Sequence, residues 1–334
     1  MNLLEQQTSN RRRTWLVMAV FVGFLLLLGL GFDRFFLGVA GPVPVGSLLA
    51  LGVGSLSALT MYFAGDRAVL RSTGAVSVDR LLEDSPPEQQ RLSLTQLRNV
   101  VDEMAIAAGL PRPAVYIVPD SDPNAFATGR DPAHASLAVT QGLLDTLSRD
   151  ELQGVVAHEM SHVRNLDIRL MTIVAALAGG IALLSDWALR GMRFGAGGAS
   201  RRRSDGKRGG GAASAAFFVT WLLAILLAPI VGQMLAMMVS RRREYLADAT
   251  GAELTRNPLA LADALETIEA AVEPTPAIKR GSAHLCIADP LGRASGFREG
   301  FWSDLFASHP PMARRIAALR EMAFAGRDRP EHAR

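Results

Sequence analysis

The chain has 334 residues, 49% of them hydrophobic, and a formal net charge of only +3. Its single cysteine, Cys286, excludes an intrachain disulfide and a cysteine-based zinc site. Arginines cluster beside apolar blocks, at Arg11–Arg13, Arg201–Arg203 and Arg241–Arg243. That placement reports membrane orientation or anionic lipid, and no motif for nucleic acid accompanies it.

In chain order, Trp15 to Phe32 is uncharged and long enough to cross a bilayer. A signal peptide with Arg11–Arg13 as its basic region is the competing reading, but no small-x-small cleavage site follows. A second span is expected from Val45 to Ala64, after Pro42 and Pro44. The arginines hold the N-terminus inside, so two crossings return the chain to the cytoplasm. Residues 66–168 read as soluble. Leu94, Leu97, Val101, Met104, Ala105 and Ala108 predict an amphipathic helix ending at Gly109. Pro113–Pro119 and Ser136–Thr140 predict short strands. Ser148 and Glu151 have capping-box spacing, flanked by Leu147 and Leu152, so a helix should run from Arg149 through His162. Further apolar blocks lie at Leu170–Leu189 and Ala212–Val239, joined by a basic, Gly- and Ser-rich loop at 190–211. That loop would face outside if the two blocks formed a crossing hairpin, against the positive-inside tendency, so two to four spans are expected. Helices should follow at Pro258–Val272 and Met312–Ala323, with a loop-like stretch at Glu273–Gly300 between them.

The chemistry concentrates in His158-Glu159-Met160-Ser161-His162. On a helix the two histidines lie one turn apart on one face and can grip one metal ion, and neutral imidazoles suit Zn²⁺. Glu159 projects from a neighbouring face, where it can take a proton from a metal-activated water. The three-residue pattern also occurs by chance, but here it sits on a capped helix with Val155, Val156 and Val163 to pack it. A catalytic zinc site commonly has a third protein ligand. Glu244, four residues before Asp248 on one helical face, could complete it. Asp248 could then accept a hydrogen bond from a ligand histidine. A solvated face with Arg–Glu pairs is the plainer alternative, which Tyr245, Leu246 and Ala247 argue against. Asp167 reads as the end of the catalytic helix.

Four blocks together resemble the HtpX-type membrane metalloproteases, relatives of the CAAX prenyl protease. They are PNAFATGR (Pro123 to Arg130), DELQGVVAHEMSHVRNLDIR (Asp150 to Arg169), SRRREYLADATGAELTRNP (Ser240 to Pro258) and SHPPMARRIAAL (Ser308 to Leu319). The resemblance implies zinc, a gluzincin-type site and quality control of membrane proteins. It implies His158, His162 and Glu244 as ligands, Glu159 as general base, and Asp248 as partner of His158. It further implies His309 as a donor to the tetrahedral oxyanion, and Arg315 as a buttress of the site. A strand beside the cleft is implied at Asn124, Ala125, Phe126 and Ala127, able to hold substrate backbone by β-augmentation.

The expected protein is a mainly α-helical membrane protein with a gluzincin-like protease domain and a small β-sheet. Its regions are 1–65 (two membrane helices), 66–168 (first catalytic part), 169–239 (two apolar segments and the basic loop) and 240–334 (second catalytic part). The expected activity is zinc-dependent endopeptidase cleavage of proteins or peptides, chiefly membrane proteins. The expected location is the bacterial inner membrane, with the catalytic domain in the cytoplasm and no nucleic-acid partner. A membrane scaffold retaining the zinc fold without turnover is the alternative, but a structural site has no need of Glu159.

Overall fold

The computed structural model describes residues 3–33, 44–177, 241–271, 277–278, 285–288 and 310–327. The apolar block at Ala212–Val239, the end of the block at Leu170–Leu189, the loop at 190–211, and His309 lie outside the described residues.

Helix α1 spans Leu3–Phe32 and α2 spans Val45–Ser72. Pro44 precedes α2, where the absence of its N–H costs nothing. Among the described residues, α2 is the one helix long and apolar enough to cross a membrane, and little of it is buried. Leu48, Leu49, Val53 and Leu56 are exposed along it, as are Trp15, Leu16, Val20, Leu27 and Leu30 on α1. Apolar faces turned outward at this density belong against lipid. The two helices meet through Val17, Met18, Phe21 and Ala58, which pack with Leu170, Ile173, Val174 and Leu177.

Strand β1 (Val76–Ser77) leads into α3 (Val78–Glu83) and α4 (Glu88–Ala108). The buried stripe of α4 is Leu94, Leu97, Val100, Val101, Met104 and Ala105, the three-four spacing of an amphipathic helix. Gly109 ends it with φ +67°, a left-handed conformation that glycine adopts without strain. Strands β2 (Ala114–Val118), β3 (Ala125–Gly129) and β4 (Ala135–Thr140) complete a four-stranded sheet in the order β1-β2-β4-β3. β2 runs parallel to β4, with Tyr116 opposite Ala138, and β3 runs antiparallel to it, with Ala127 opposite Leu137. β3 is therefore an edge of this sheet, bridged on its outer side by Cys286 opposite Phe126. After the short α5 (Gln141–Thr146), helix α6, which carries His158, Glu159 and His162, covers Arg149–Arg164.

The capping box at the start of α6 forms as its spacing predicts. Ser148 Oγ accepts from the Glu151 N–H, and the Ser148 N–H donates to Glu151 Oε2 at 2.7 Å. Every residue from Val155 to Val163 is buried. A helix with no solvated face must be packed on all sides. Here α4, β3, α7 (Arg241–Thr255) and α8 (Pro258–Ala270) enclose it, and α9 (Met312–Arg327) closes over α8 and α7. Two glycines permit the close approaches. A Cβ on Gly154 would meet the Leu261 backbone at 3.0 Å, and one on Gly251 would meet His158 N at 3.1 Å.

α6 does not end at Asp167. It stops at Arg164, Leu166 turns the chain with φ +59°, and residues 167–177 form a new helical run into the α1–α2 cluster.

Candidate metal centre and catalytic carboxylate

The spacing of four residues brings His158 and His162 onto one face of α6, with their Nε2 atoms 3.3 Å apart and rings nearly perpendicular. α7 supplies Glu244 from across the gap. Its two carboxylate oxygens lie 3.7 Å from His158 Nε2 and 3.7 Å from His162 Nε2. The donor atoms of all three residues fall within 4.8 Å of one another, and all three side chains are buried.

Each histidine has a carboxylate behind it. Asp248 Oδ1 lies 2.9 Å from His158 Nδ1. His162 Nδ1 faces Asp167 Oδ2 at 3.2 Å. An Nδ1–H turned to each carboxylate would leave both Nε2 atoms free to coordinate a metal beside Glu244. Three acceptors converging in a buried space repel unless a cation sits between them. This donor set fits a zinc ion held by two imidazoles and one carboxylate.

Both carboxylates are anchored by arginines. Arg315, fully buried on α9, donates through Nε to Asp248 Oδ2 at 2.8 Å and through Nη2 to Asp248 Oδ1 at 2.7 Å. This fork geometry is the strong form of the ion pair. Its Nη1 donates to the Ile287 carbonyl at 2.8 Å and stands 3.8 Å from Glu244. Arg243 Nη1 donates to Asp167 Oδ1 at 3.2 Å. From α1, Asn10 Nδ2 donates to the same oxygen at 2.6 Å. In the sequence Asp167 reads as the end of a helix, and nothing marks Asn10 or Arg243 as part of this site. Neither has ligand spacing to anything nearby, and Asn10 lies 157 positions from Asp167.

The electrostatics follow from burial and these pairs. Burial works to raise the Asp248 carboxyl, but the Arg315 charge outweighs it and holds the group down at about 2. Burial works to lower His162. The Asp167 hydrogen bond and the charge of Glu244 overcome it, pushing the metal-free imidazole up to about 9. Burial dominates at Glu159 and, with the Glu244 charge, raises its carboxyl above the usual range against the pull of His158 and His162. Neither Glu159 oxygen has a well-formed hydrogen bond among the described residues. A buried carboxylate without a fixed donor is a ready proton acceptor.

β3 runs alongside this site. The Ala125 carbonyl accepts from Ile287 N at 2.9 Å, and Gly129 N donates to Thr172 Oγ1 at 2.9 Å. Alternation along the strand puts Ala127 on the same outer edge, between these two, with its N–H toward the Glu159 carboxylate. Asn124 is buried and committed. Its Nδ2 donates to the Ala288 carbonyl at 3.2 Å, and its Oδ1 accepts from Ala125 N. Phe126 is buried in the core behind the sheet.

Comparison with known proteins places this site in context. A model of Peptidase family M48 matches residues 91–323. A protein named Protease HtpX homolog from Thermoanaerobacter pseudethanolicus is 42% identical, the match covering 96% of this chain and 98% of that protein. A protein of the same name from Lactiplantibacillus plantarum is 41% identical, covering 96% and 100%. Another from Tropheryma whipplei (strain Twist) is 43% identical, covering 94% and 96%. The crystal structure of S. mikatae Ste24p aligns with a TM-score of 0.47 at 18% identity, over 95% of this chain and 67% of that one.

Proposed function

Because this chain belongs to peptidase family M48, and is thus a zinc-dependent membrane endopeptidase acting on proteins or peptides, we propose that His158, His162 and Glu244 hold the metal and that Glu159 is the general base. The observation that carries the assignment is the convergence of two imidazole Nε2 atoms, 3.3 Å apart, with both oxygens of Glu244 at 3.7 Å.

Held by His158, His162 and Glu244, a zinc ion would supply an acidified water molecule and polarise a scissile carbonyl. Glu159 takes the proton from the attacking water and passes it to the leaving amine. Its raised proton affinity suits both transfers. Asp248 and Arg315 hold His158 in the tautomer that presents Nε2. The extended substrate backbone pairs with the outer edge of β3 within the stretch Asn124, Ala125, Phe126 and Ala127. That edge also carries the antiparallel bridge between Phe126 and Cys286, and Ala127 lies beside it next to the Glu159 carboxylate. His309, three residues before α9 begins at Met312, is assigned to donate a hydrogen bond to the developing oxyanion.

The substrates we propose are membrane proteins presented at the bilayer surface, in a quality-control role, with the bacterial inner membrane as the site and the cytoplasm as the catalytic side. Three features support this. Trp15 and Tyr62 stack at 6.0 Å, beside Phe63, and Arg169 and Arg130 cap Tyr62 and Phe63. Such aromatic and cationic side chains gather at the membrane–water boundary. The helical run at 167–177 leads from the metal site straight into the apolar α1–α2 cluster. Arg11–Arg13 lie at that end of α1, on the side expected to face inward. The four regions 1–65, 66–168, 169–239 and 240–334 then alternate between membrane and catalytic roles.

The test is proteolysis of a membrane-protein substrate in detergent, with zinc analysis on the same samples. Wild-type protein should hold about one zinc per chain and lose activity in chelator, since two imidazoles and one carboxylate form a single-metal site. Glu159→Gln should keep the zinc and lose turnover. Full activity in chelator would reject the reading.

A further inference from the structure

We propose that Asp167, clamped by Asn10 of α1 and Arg243 of α7, is a positioning residue for His162, so that the seating of the N-terminal helix is felt at the metal centre. The proposal rests on the assignment of His162 as a metal ligand.

The argument begins with the end of α6. The last carbonyls of a helix have no partner within it and need donors from elsewhere. Gln7 and Asn10 are three residues apart, on one face of α1. Gln7 Nε2 donates to the Arg164 carbonyl at 2.9 Å, and Asn10 Nδ2 donates to the Asn165 carbonyl at 3.0 Å. α1 therefore caps the catalytic helix two to three residues after His162. The second hydrogen of Asn10 Nδ2 goes to Asp167 Oδ1, which also receives Arg243. With Oδ1 doubly occupied, the carboxylate cannot rotate freely, and Oδ2 stays turned to His162 Nδ1 at 3.2 Å. Asp167 is wholly buried and Asn10 nearly so, so water does not substitute for either contact.

This makes the two ligand histidines differently supported. His158 depends on Asp248 and Arg315, both on elements of the second catalytic region. His162 depends on a carboxylate held partly by the stem of a helix whose following residues, from Trp15, form an apolar stretch. Asn10 lies about 7.5 Å along the helix axis from Trp15. A shift of α1 by one ångström would break the Asn10 bond and leave Asp167 to Arg243 alone.

The test uses the full chain in detergent. Zinc affinity is measured by chelator competition, and the ligand field by the visible absorption of the cobalt-substituted protein. Asp167→Asn should weaken zinc about tenfold or more and shift the cobalt band, the size usual when a group orienting a ligand histidine is lost. Asn10→Ala should shift the band in the same direction with a smaller loss. The double variant should be no worse than Asp167→Asn, because Asn10 acts through Asp167. Gln7→Ala is the control for helix capping alone and should leave the band unmoved. An unchanged band in Asn10→Ala, or strictly additive losses in the double variant, would overturn the proposal. If Asp167→Asn does not fold, Asn10→Ala and Arg243→Lys carry the test, and wild-type spectra in both overturn it. His162→Ala separates the two levels of the argument. Zinc retained in His162→Ala defeats the ligand assignment itself. Zinc lost there, with wild-type behaviour in the Asp167 and Asn10 variants, defeats only the coupling.

Discussion

At the scale of single residues, Glu159, Glu244 and Asp248 are three buried carboxylates in one site, and their surroundings set them apart. Asp248 is forked by Arg315 and stays ionised. Glu159 has no such fork, and burial raises its proton affinity. Glu159→Gln is expected to lower turnover at least about a hundredfold with zinc retained, the lower end for removing a general base. Near-normal turnover in that variant would remove Glu159 from the mechanism. Glu244→Ala should weaken zinc more than Asp248→Ala, which should cost about 10- to 100-fold. The reverse order, measured by chelator competition, would mean that their roles are exchanged. The proton on His162 gives a pH dependence of definite sign. Metal binding must displace it, and in the metal-free site it is held up to about pH 9. Apparent zinc affinity should therefore climb about tenfold per pH unit between roughly pH 6 and 8, then flatten near 9. A flat profile over that range would contradict the Asp167–His162 pairing.

Elements place those residues, and here small side chains matter as much as charged ones. α7 brings Glu244 and Asp248 to α6 only because Gly251 lets the two backbones approach, with His158 N at 3.1 Å from where a Cβ would stand. Gly251→Val should push α7 away, lower the melting temperature and reduce zinc content together. Overpacking at such a contact typically costs about 1–3 kcal/mol. A variant with wild-type zinc content would show that the helices can separate without moving Glu244. The capping box at Ser148 is a local contrast. Ser148→Ala should cost about 1 kcal/mol of stability and leave zinc affinity untouched, because it secures the far end of α6 from the histidines. The reach of α6 from Arg149 past His162, the Gly109 terminus of α4 and the strands at β2 and β4 were all legible in advance. Each rests on periodicity, a cap or a breaker within a few residues. β1 and α3 were not legible, since two residues of strand carry no period.

On the scale of the whole molecule, α6 and the apolar helices α1 and α2 are joined by one packed run. Residues 167–177 join α6 to the α1–α2 cluster, and Thr172 of that run bonds both Thr128 and Gly129 at the end of β3. The proposed substrate edge and the apolar α1–α2 cluster therefore share a support. Topology is checked by cysteine labelling of intact cells in a Cys286→Ser background. Gln89→Cys on α4 and Glu253→Cys on α7, both exposed positions, should be protected from an impermeant reagent. Labelling of either from outside would invert the proposed orientation. A probe at Ser204, outside the described residues, distinguishes a crossing hairpin, labelled from outside, from a dipping one.

What the sequence determined by itself was the local chemistry. The spacing of four residues between His158 and His162, and again between Glu244 and Asp248, is a property of any helix and needs no tertiary information. The four motif blocks carried the family. What only the tertiary structure decided was the carboxylate behind His162 and the groups that anchor it. Asp167, five residues past His162, reads in the sequence as the end of the helix. In the fold it is a buried anion shared by His162, Arg243 and Asn10. Arg315 reads from its helix alone as a surface charge and from the family resemblance as a buttress of the site, and in the fold it is fully buried against Asp248. Both contacts span long separations in the chain, and no periodicity encodes them. They arise because a buried ion must find a partner, and only the packing of α1, α7 and α9 around α6 determines which one is within reach.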